Sequence, residues 1–122
     1  MSTKSRTILI VDDDPQILRL VEKMVKPRAG VEILLAPLPS AALRIYELQP
    51  VHVMISDVSM PEMDGIKLAE RVLKLQPATQ VLLISGQDPG RRSPKSPSVR
   101  FLQKPFFPSV LIQLLKEMLP ED

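Results

Sequence analysis

Cysteine is missing from this sequence of 122 residues, and its absence excludes several kinds of chemistry. The chain can form no disulfide bond, no thiolate nucleophile and no zinc–cysteine site. Histidine is almost absent as well: His52 is the only one, and it lies in an apolar run where packing is a commoner role than catalysis. Because a cysteine-free chain fits a reducing compartment, we expect a cytoplasmic location.

Long apolar runs and nucleotide-binding motifs are lacking too. Crossing a bilayer takes about 18 apolar residues in a row, and no stretch of this sequence approaches that length. Only four clearly apolar residues separate the opening MSTKSRT from Asp12, too few for a secretory signal. No Gly-x-x-x-x-Gly-Lys segment is present to bind ATP phosphates, and a net charge of +2 attracts nucleic acid only weakly. We therefore expect no membrane and no nucleic acid among the partners, and any phosphate must come from another molecule.

What is present has the composition and the periodicity of one globular domain, which we expect to span residues 1–122. Five short runs of mainly β-branched and aliphatic residues predict buried strands: Thr7–Val11, Val31–Ala36, Val51–Ile55, Gln80–Ile84 and Val99–Leu102. Apolar residues at helical spacing predict four helices between and after them: Pro15–Lys26, Ala41–Leu48, Ile66–Leu75 and Pro108–Leu119. This alternation predicts an α/β fold with a parallel sheet and helices on both faces.

Two of the predicted helices begin next to residues that commonly cap helix N-termini. Asp14 precedes Pro15, and proline is favoured at the first helical position, so Asp14 is the expected N-cap of the first helix. Ser40 is the expected N-cap of the second helix.

The interval from 86 to 98, GQDPGRRSPKSPS, is unsuited to a helix. It contains three prolines and two glycines and no large aliphatic or aromatic residue, so a helix there would have no apolar face to bury. We expect no helix longer than one turn in it. Arg91, Arg92 and Lys95 make the interval basic, which indicates either a solvated surface or a segment attracted to nearby acidic groups.

Charged and hydroxyl side chains stand where four of the predicted strands end. Asp12 and Asp13 follow the first strand, Asp57 the third, Ser85 the fourth and Lys104 the fifth. Parallel strands bring their carboxyl ends to one edge of the sheet, so these side chains should lie together. Three carboxylates favour a hard cation such as Mg²⁺, and an ammonium with a hydroxyl can hold the oxygens of a phosphoryl group. A carboxylate in such a site can attack phosphorus and become an aspartyl phosphate.

The segments ILIVDDDP, MISDVSMPEMDG, LLISG and FLQKPF together resemble the response-regulator receiver domain of two-component signalling. The resemblance covers essentially residues 6 to 119, and it implies a chemotaxis-regulator-like, flavodoxin-like fold with strand order 2-1-3-4-5. The helix that this family places between its fourth and fifth strands is predicted to be missing or degenerate, because it would fall in the interval from 86 to 98. Partner recognition would then use the interval itself or the first and last helices.

The resemblance also implies a role for each residue of the expected site. Asp57 would be the phosphoacceptor, with Asp13 a direct Mg²⁺ ligand, Asp12 a water-mediated one and Ser59 a ligand through its backbone carbonyl. Ser85 and Phe101 match the family's two residues that move on phosphorylation. Lys104 matches its phosphate-binding lysine, and Pro105 matches the proline that follows a cis peptide bond.

The family's activity is phosphorelay signalling. The resemblance implies that a histidine kinase or a histidine phosphotransfer protein supplies the phosphoryl group, that the phosphoprotein then switches conformation to regulate an unidentified target, and that the chain is no enzyme toward other molecules. A receiver-like docking module that accepts no phosphate remains an alternative. A phosphohydrolase of the haloacid-dehalogenase type is a remote one, because it would need a second Asp where Ser59 stands. The sequence also leaves open whether the chain is a stand-alone regulator or a part of a longer one.

Overall fold

The structure is a computed structural model that describes residues 6–26, 30–88, 90 and 96–119. Strands and helices alternate through these ranges: β1 Arg6–Val11, α1 Pro15–Val25, β2 Val31–Ala36, α2 Pro39–Leu48, β3 Val53–Asp57, α3 Gly65–Leu75, β4 Gln80–Ser85, β5 Val99–Gln103 and α4 Pro108–Met118. Within the described ranges, none of the helices has the length and apolar character needed to cross a bilayer.

The five strands form one parallel sheet in the order β2-β1-β3-β4-β5, which confirms the predicted fold. Successive strand residues point to opposite faces, and helices cover both faces, so the central strands are buried except at their ends. One face packs against α1 and α4 and includes Ile8 and Ile10 of β1. The other packs against α2 and α3 and includes Leu9 and Val11. This double burial fixes the register of each strand, because a shift by one residue would exchange the two faces.

The third strand is displaced toward the site relative to its predicted bounds. It begins at Val53 and not at Val51, because the side-chain Oε1 of Gln76 accepts the N–H of Val51 at 2.8 Å. It continues to Asp57, which pairs with Ile84 of β4. Asp57 is therefore the last residue of the strand and does not lie in the loop beyond it.

The two expected helix caps have different outcomes. The Asp14 side chain accepts the backbone N–H of Gln16 at 2.9 Å and caps α1. The expectation for Ser40 is wrong, because α2 begins at Pro39 with Leu38 in the N-cap position. The Ser40 N–H lies inside the first turn and donates to a carboxylate oxygen of Glu62 at 3.0 Å. Proline is favoured at the first helical position, which explains why the helix starts before the serine.

The interval from 86 to 98 is described only in part. Residues 86–88, 90 and 96–98 contain no α-helix. Residue 89 and residues 91–95, which include all three basic side chains of the interval, lie outside the described residues. The expectation that the interval forms no helix longer than one turn therefore stays a prediction for the whole interval.

Candidate functional site

The carboxyl ends of four parallel strands form one rim of the sheet. Val11 of β1 pairs with Ser56, so Asp12 follows its strand beside Asp57. Ser85 pairs with Gln103, so Lys104 lies one residue beyond the end of the ladder next to Ser85. The strand-end residues that the sequence singled out therefore meet at one edge.

Three carboxylates are concentrated on this rim. Asp12, Asp13 and Asp57 each place a carboxylate oxygen within 4.8 Å of the others. Asp12 is buried, with 6% of its surface exposed, and its Oδ1 accepts the backbone N–H of Asp14 at 2.9 Å. Burial raises the pKa of the Asp12 carboxyl, the Asp14 N–H partly opposes that change, and the negative charge of Asp57 adds to it. Negative charge in a half-buried pocket of this kind is stabilised by a cation.

The geometry of the carboxylates fits a small divalent ion. Oxygen ligands lie about 2.1 Å from Mg²⁺, so ligands on opposite sides of one ion are separated by about 4.2 Å. The 4.8 Å within which the three carboxylates lie is close to that separation, so one ion could bind all three, directly or through a water molecule. Ser59 lies two residues beyond Asp57 in the loop that leads to α3, where its carbonyl is a further candidate ligand.

Lys104 provides the positive charge of the site. Its Nζ lies 3.0 Å from Asp57 Oδ1, with the lysine side chain 40% exposed and the aspartate 13% exposed. Its backbone N–H donates to the Ser85 carbonyl at 2.8 Å, and its peptide bond to Pro105 is cis. The ammonium is thus anchored beside Asp57, where it can also bind an oxygen of a group attached to that carboxylate.

Ser85 and Phe101 both contact one small cavity beside the rim. The cavity has a volume of about 180 Å³ and is also lined by Gln87 and Asp88. Ser85 Oγ accepts the backbone N–H of Gln87 at 3.1 Å. Phe101 lies in β5 opposite Leu83 and is half-buried against the face that α2 and α3 cover. The two residues are therefore close to one space into which a side chain could move.

Two residues that support Asp57 were not assigned a role from the sequence. Gly65 opens α3, and a Cβ there would lie 2.3 Å from the backbone oxygen of Asp57. The hydroxyl of Ser56, which is fully buried, donates to that same oxygen at 2.9 Å. The Asp-Gly pair before the apolar helix pattern does mark this glycine as unusual, but nothing local shows that it makes space for the backbone of Asp57.

An apolar groove, here called the α1 groove, runs from the rim along the first helix. Its volume is about 350 Å³, and Asp12, Asp57 and Lys104 form its polar end. Its apolar walls come from α1 and from the segment after β5, and they include Ile17, Leu20, Val21, Met24, Pro105 and Phe106. Half of the Leu20 side chain is exposed, so the groove is open to a partner.

Known proteins resemble this chain over nearly its whole length. The family model described as the response regulator receiver domain matches residues 8–116. The transcriptional regulatory protein GlrR of Escherichia coli is 32% identical over 100% of this chain, which spans only 28% of that protein's length. The response regulator receiver protein CpdR of Brucella abortus is 29% identical, with 93% of this chain and 97% of that protein aligned. The response regulator protein TrrA of Thermotoga maritima, solved in complex with Mg(2+)-BeF, has a TM-score of 0.81 at 25% identity, covering 93% of this chain and 99% of that one.

Proposed function

The chain belongs to the response regulator receiver domain family, and from this membership we propose that Asp57 is the residue on which it carries a phosphoryl group. It is a receiver domain of two-component signalling, and such domains are signalling modules and not enzymes in the usual sense. One observation carries the assignment of Asp57: it is the carboxylate that lies both within 4.8 Å of two others and 3.0 Å from the Lys104 ammonium. The alternatives of a docking module and a phosphohydrolase are not favoured by the family match.

We propose Mg²⁺ as the cofactor, held by Asp13 and Asp57, by Asp12 through water and by the Ser59 carbonyl. The carboxylate geometry supports this choice, as does the relative solved with Mg(2+)-BeF. When bound, Mg²⁺ neutralises negative charge on the phosphoryl group during transfer. Because its ligands include the acceptor itself, the cation would orient the attacking oxygen as well.

The transfer step uses the carboxylate of Asp57 as nucleophile. One of its oxygens attacks phosphorus in line with the phosphohistidine nitrogen of the donor, the P–N bond breaks, and the electron pair stays on the imidazole nitrogen, which then takes up a proton. The Lys104 ammonium, which lies 3.0 Å from Asp57 Oδ1, is within reach of an oxygen of the new phosphoryl group. Gly65 leaves room for the backbone oxygen of Asp57, and the Ser56 hydroxyl donates to that oxygen, so these two residues would help to keep the acceptor in place during the step.

The phosphorylated form would switch through Ser85 and Phe101. The Ser85 hydroxyl accepts the N–H of Gln87 here, and we infer that it turns to donate to a phosphoryl oxygen. Movement of Ser85 changes the cavity that it shares with Phe101, so the aromatic ring would move as well. The phosphoryl group thereby shifts the population between two arrangements that a downstream target can distinguish.

The donor would be a histidine kinase or a histidine phosphotransfer protein. We infer that the element carrying its phosphohistidine docks in the α1 groove, because the apolar wall of that groove leads directly to Asp57 and Lys104.

A single domain over residues 1–122 and a cytoplasmic location are likewise proposals; limited proteolysis would test the first and cell fractionation the second.

Treatment with acetyl phosphate and Mg²⁺, followed by intact-mass spectrometry, tests the assignment. We expect one added phosphoryl group on the unaltered chain and none on Asp57→Asn. Asp88→Asn is the matched control, since Asp88 also follows a strand of the rim but does not belong to the carboxylate cluster. Equal labelling of Asp57→Asn would place the acceptor elsewhere. A chain that binds a kinase but never gains mass would be a docking module.

A further inference from the structure

The loop between β3 and α3 contains an unusual backbone conformation at Glu62. Its φ is +73°, in the left-handed region that side-chain-bearing residues seldom adopt. Met63 donates its N–H to the carbonyl of Pro61 at 2.9 Å, so Glu62 is the central residue of a tight three-residue turn. A conformation of this kind persists only where surrounding contacts hold it.

The contact that holds Glu62 comes from α2. One carboxylate oxygen of Glu62 accepts the backbone N–H of Ser40 at 3.0 Å, and the other accepts the Ser40 hydroxyl at 3.2 Å. The helix has no side-chain cap of its own, because Leu38 occupies the N-cap position, and it has no acidic residue in its first turn. Glu62 therefore supplies from the loop the anionic cap that α2 lacks.

The same loop carries a candidate ligand of the metal site. It begins after Asp57, contains Ser59, and is closed where the N–H of Gly65 donates to the Val58 carbonyl at 2.8 Å. That bond joins the two ends of the loop, and the bonds from Glu62 to Ser40 join its outer part to α2. Both sets of bonds restrain the loop in which Ser59 lies.

We propose that Glu62 is a positioning residue for the phosphoacceptor site: by bonding to the first turn of α2, its carboxylate holds the loop so that the Ser59 carbonyl can bind Mg²⁺. The inference rests on the proposed function, since Ser59 matters only if the rim binds the cation. Coupling between two sites is reciprocal, so bound Mg²⁺ should in turn stabilise the contact between Glu62 in the loop and Ser40 in α2.

The test compares Glu62→Ala with Glu62→Gln. Both variants remove the negative charge, but the glutamine keeps an oxygen that can accept the Ser40 N–H. Mg²⁺ affinity is measured from the amide NMR signals of the rim during titration. We expect Glu62→Ala to weaken binding by about three- to tenfold, and Glu62→Gln to stay within about twofold of the unaltered chain. The loss should be smaller than the roughly 10- to 100-fold that follows removal of a direct hydrogen-bond partner of a metal ligand, because Glu62 acts on Ser59 only through the loop. Glu70→Ala, which removes an exposed carboxylate from α3, is the matched control and should leave the affinity unchanged.

A third variant, Glu62→Gly, separates positioning from folding stability. Glycine adopts positive φ without strain, so this variant should melt at or above the temperature of Glu62→Ala. It still lacks the bonds to Ser40, and we therefore expect its Mg²⁺ affinity to be as weak as that of Glu62→Ala. If the contact between Glu62 and Ser40 served stability alone, the Mg²⁺ affinities of the variants would follow their melting temperatures.

Three results would overturn the proposal. Unchanged affinity in Glu62→Ala would show that the loop needs no anchor. Equal losses in Glu62→Ala and Glu62→Gln would assign the effect to charge and not to the hydrogen bonds. An unaltered chain that binds no Mg²⁺ would overturn the proposed function itself, and the inference with it.

Discussion

Several residues of the rim are held by a specific neighbour. Asp57 is paired with Lys104, Asp12 accepts the N–H of Asp14, and Ser85 accepts the N–H of Gln87. The lysine is the positive charge that offsets the three clustered carboxylates, and it lowers the pKa of Asp12 that burial raises. Lys104 should therefore have two roles: it reduces the repulsion among the three carboxylates, and it binds the phosphoryl group.

Replacing Lys104 with alanine tests this balance. We expect Lys104→Ala to bind Mg²⁺ at least as well as the unaltered chain, because the carboxylates lose their compensating charge and depend more on the cation. After phosphorylation the variant should switch poorly, since its phosphoryl group has no ammonium partner. Mg²⁺ titration and the NMR shifts of Ser85 and Phe101 after acetyl phosphate treatment measure the two properties. Lys74→Ala, which removes an exposed ammonium from the last turn of α3, is the control; normal switching in Lys104→Ala would contradict the assignment.

Four elements are fastened together at the edge of the sheet opposite the rim. The Gln76 side chain donates to the carbonyls of Tyr46 and Gln49, at 2.9 and 2.8 Å, and accepts the N–H of Val51. The Thr79 hydroxyl donates to the Val51 carbonyl at 2.8 Å and therefore accepts the Tyr46 hydroxyl at 2.9 Å. One partly buried polar network thus joins the ends of α2 and α3 to the residues that lead into β3 and β4.

The phenol in this network makes stability depend on pH in the alkaline range. Burial raises the pKa of Tyr46 above its usual value of 10.0. The folded chain then keeps a proton that the unfolded chain loses, so this stabilisation is complete below about pH 10 and is lost as the pH rises further. At neutral pH we expect Tyr46→Phe to be less stable by about 1 kcal/mol, because it lacks the hydrogen bond to Thr79.

The difference in the free energy of unfolding between the unaltered chain and Tyr46→Phe should shrink above pH 10. Phenylalanine has no proton to lose, and all other residues are common to the two chains, so the comparison isolates the contribution of Tyr46. Urea unfolding followed by circular dichroism at pH 7, 9 and 10.5 would measure the difference. A gap that stays constant across these pH values would show that Tyr46 ionises as readily in the folded chain as in the unfolded one.

At the scale of the whole molecule, we expect the α1 groove to decide which phosphodonors can use the site. A small donor such as acetyl phosphate should need only the rim, whereas a protein donor docked as proposed would also place a surface against the apolar wall that Leu20 exposes. A charged side chain there should impair only the second kind of transfer, because an unpaired charge is costly to bury in an apolar contact.

The variant Leu20→Glu tests the groove. We expect it to slow phosphotransfer from the cognate kinase about tenfold or more, as loss of a central contact in an interface does, and to leave phosphorylation by acetyl phosphate unchanged. Leu48→Glu, on an exposed leucine at the end of α2, controls for added charge. A kinase that phosphorylates Leu20→Glu at the normal rate would show that it docks elsewhere.

How much the sequence predicts depends on how far apart the interacting residues lie. The strands and their order follow from unbroken apolar runs and a family resemblance, and the strand-end positions of Asp12 and Asp57 bring them together as soon as the sheet is parallel. The start of β3 was wrong because Gln76 takes the N–H of Val51 across 25 residues, and no local pattern shows such a pair. The cap of α2 was wrong because Pro39 begins the helix one residue before Ser40. The bond from the Ser40 N–H to Glu62, across 22 residues, is another pair that no local pattern shows.

The place of Asp57 within the ladder has a consequence for how a signal leaves the site. Because Asp57 pairs with Ile84 as the last residue of a strand buried on both faces, its backbone is held by the same pairing as the core. If Asp57 accepts the phosphoryl group as proposed, we therefore expect its backbone to keep its position. The change that a target recognises would then lie in the distances from Asp57 to the loop from 58 to 64 and to residues 86–88.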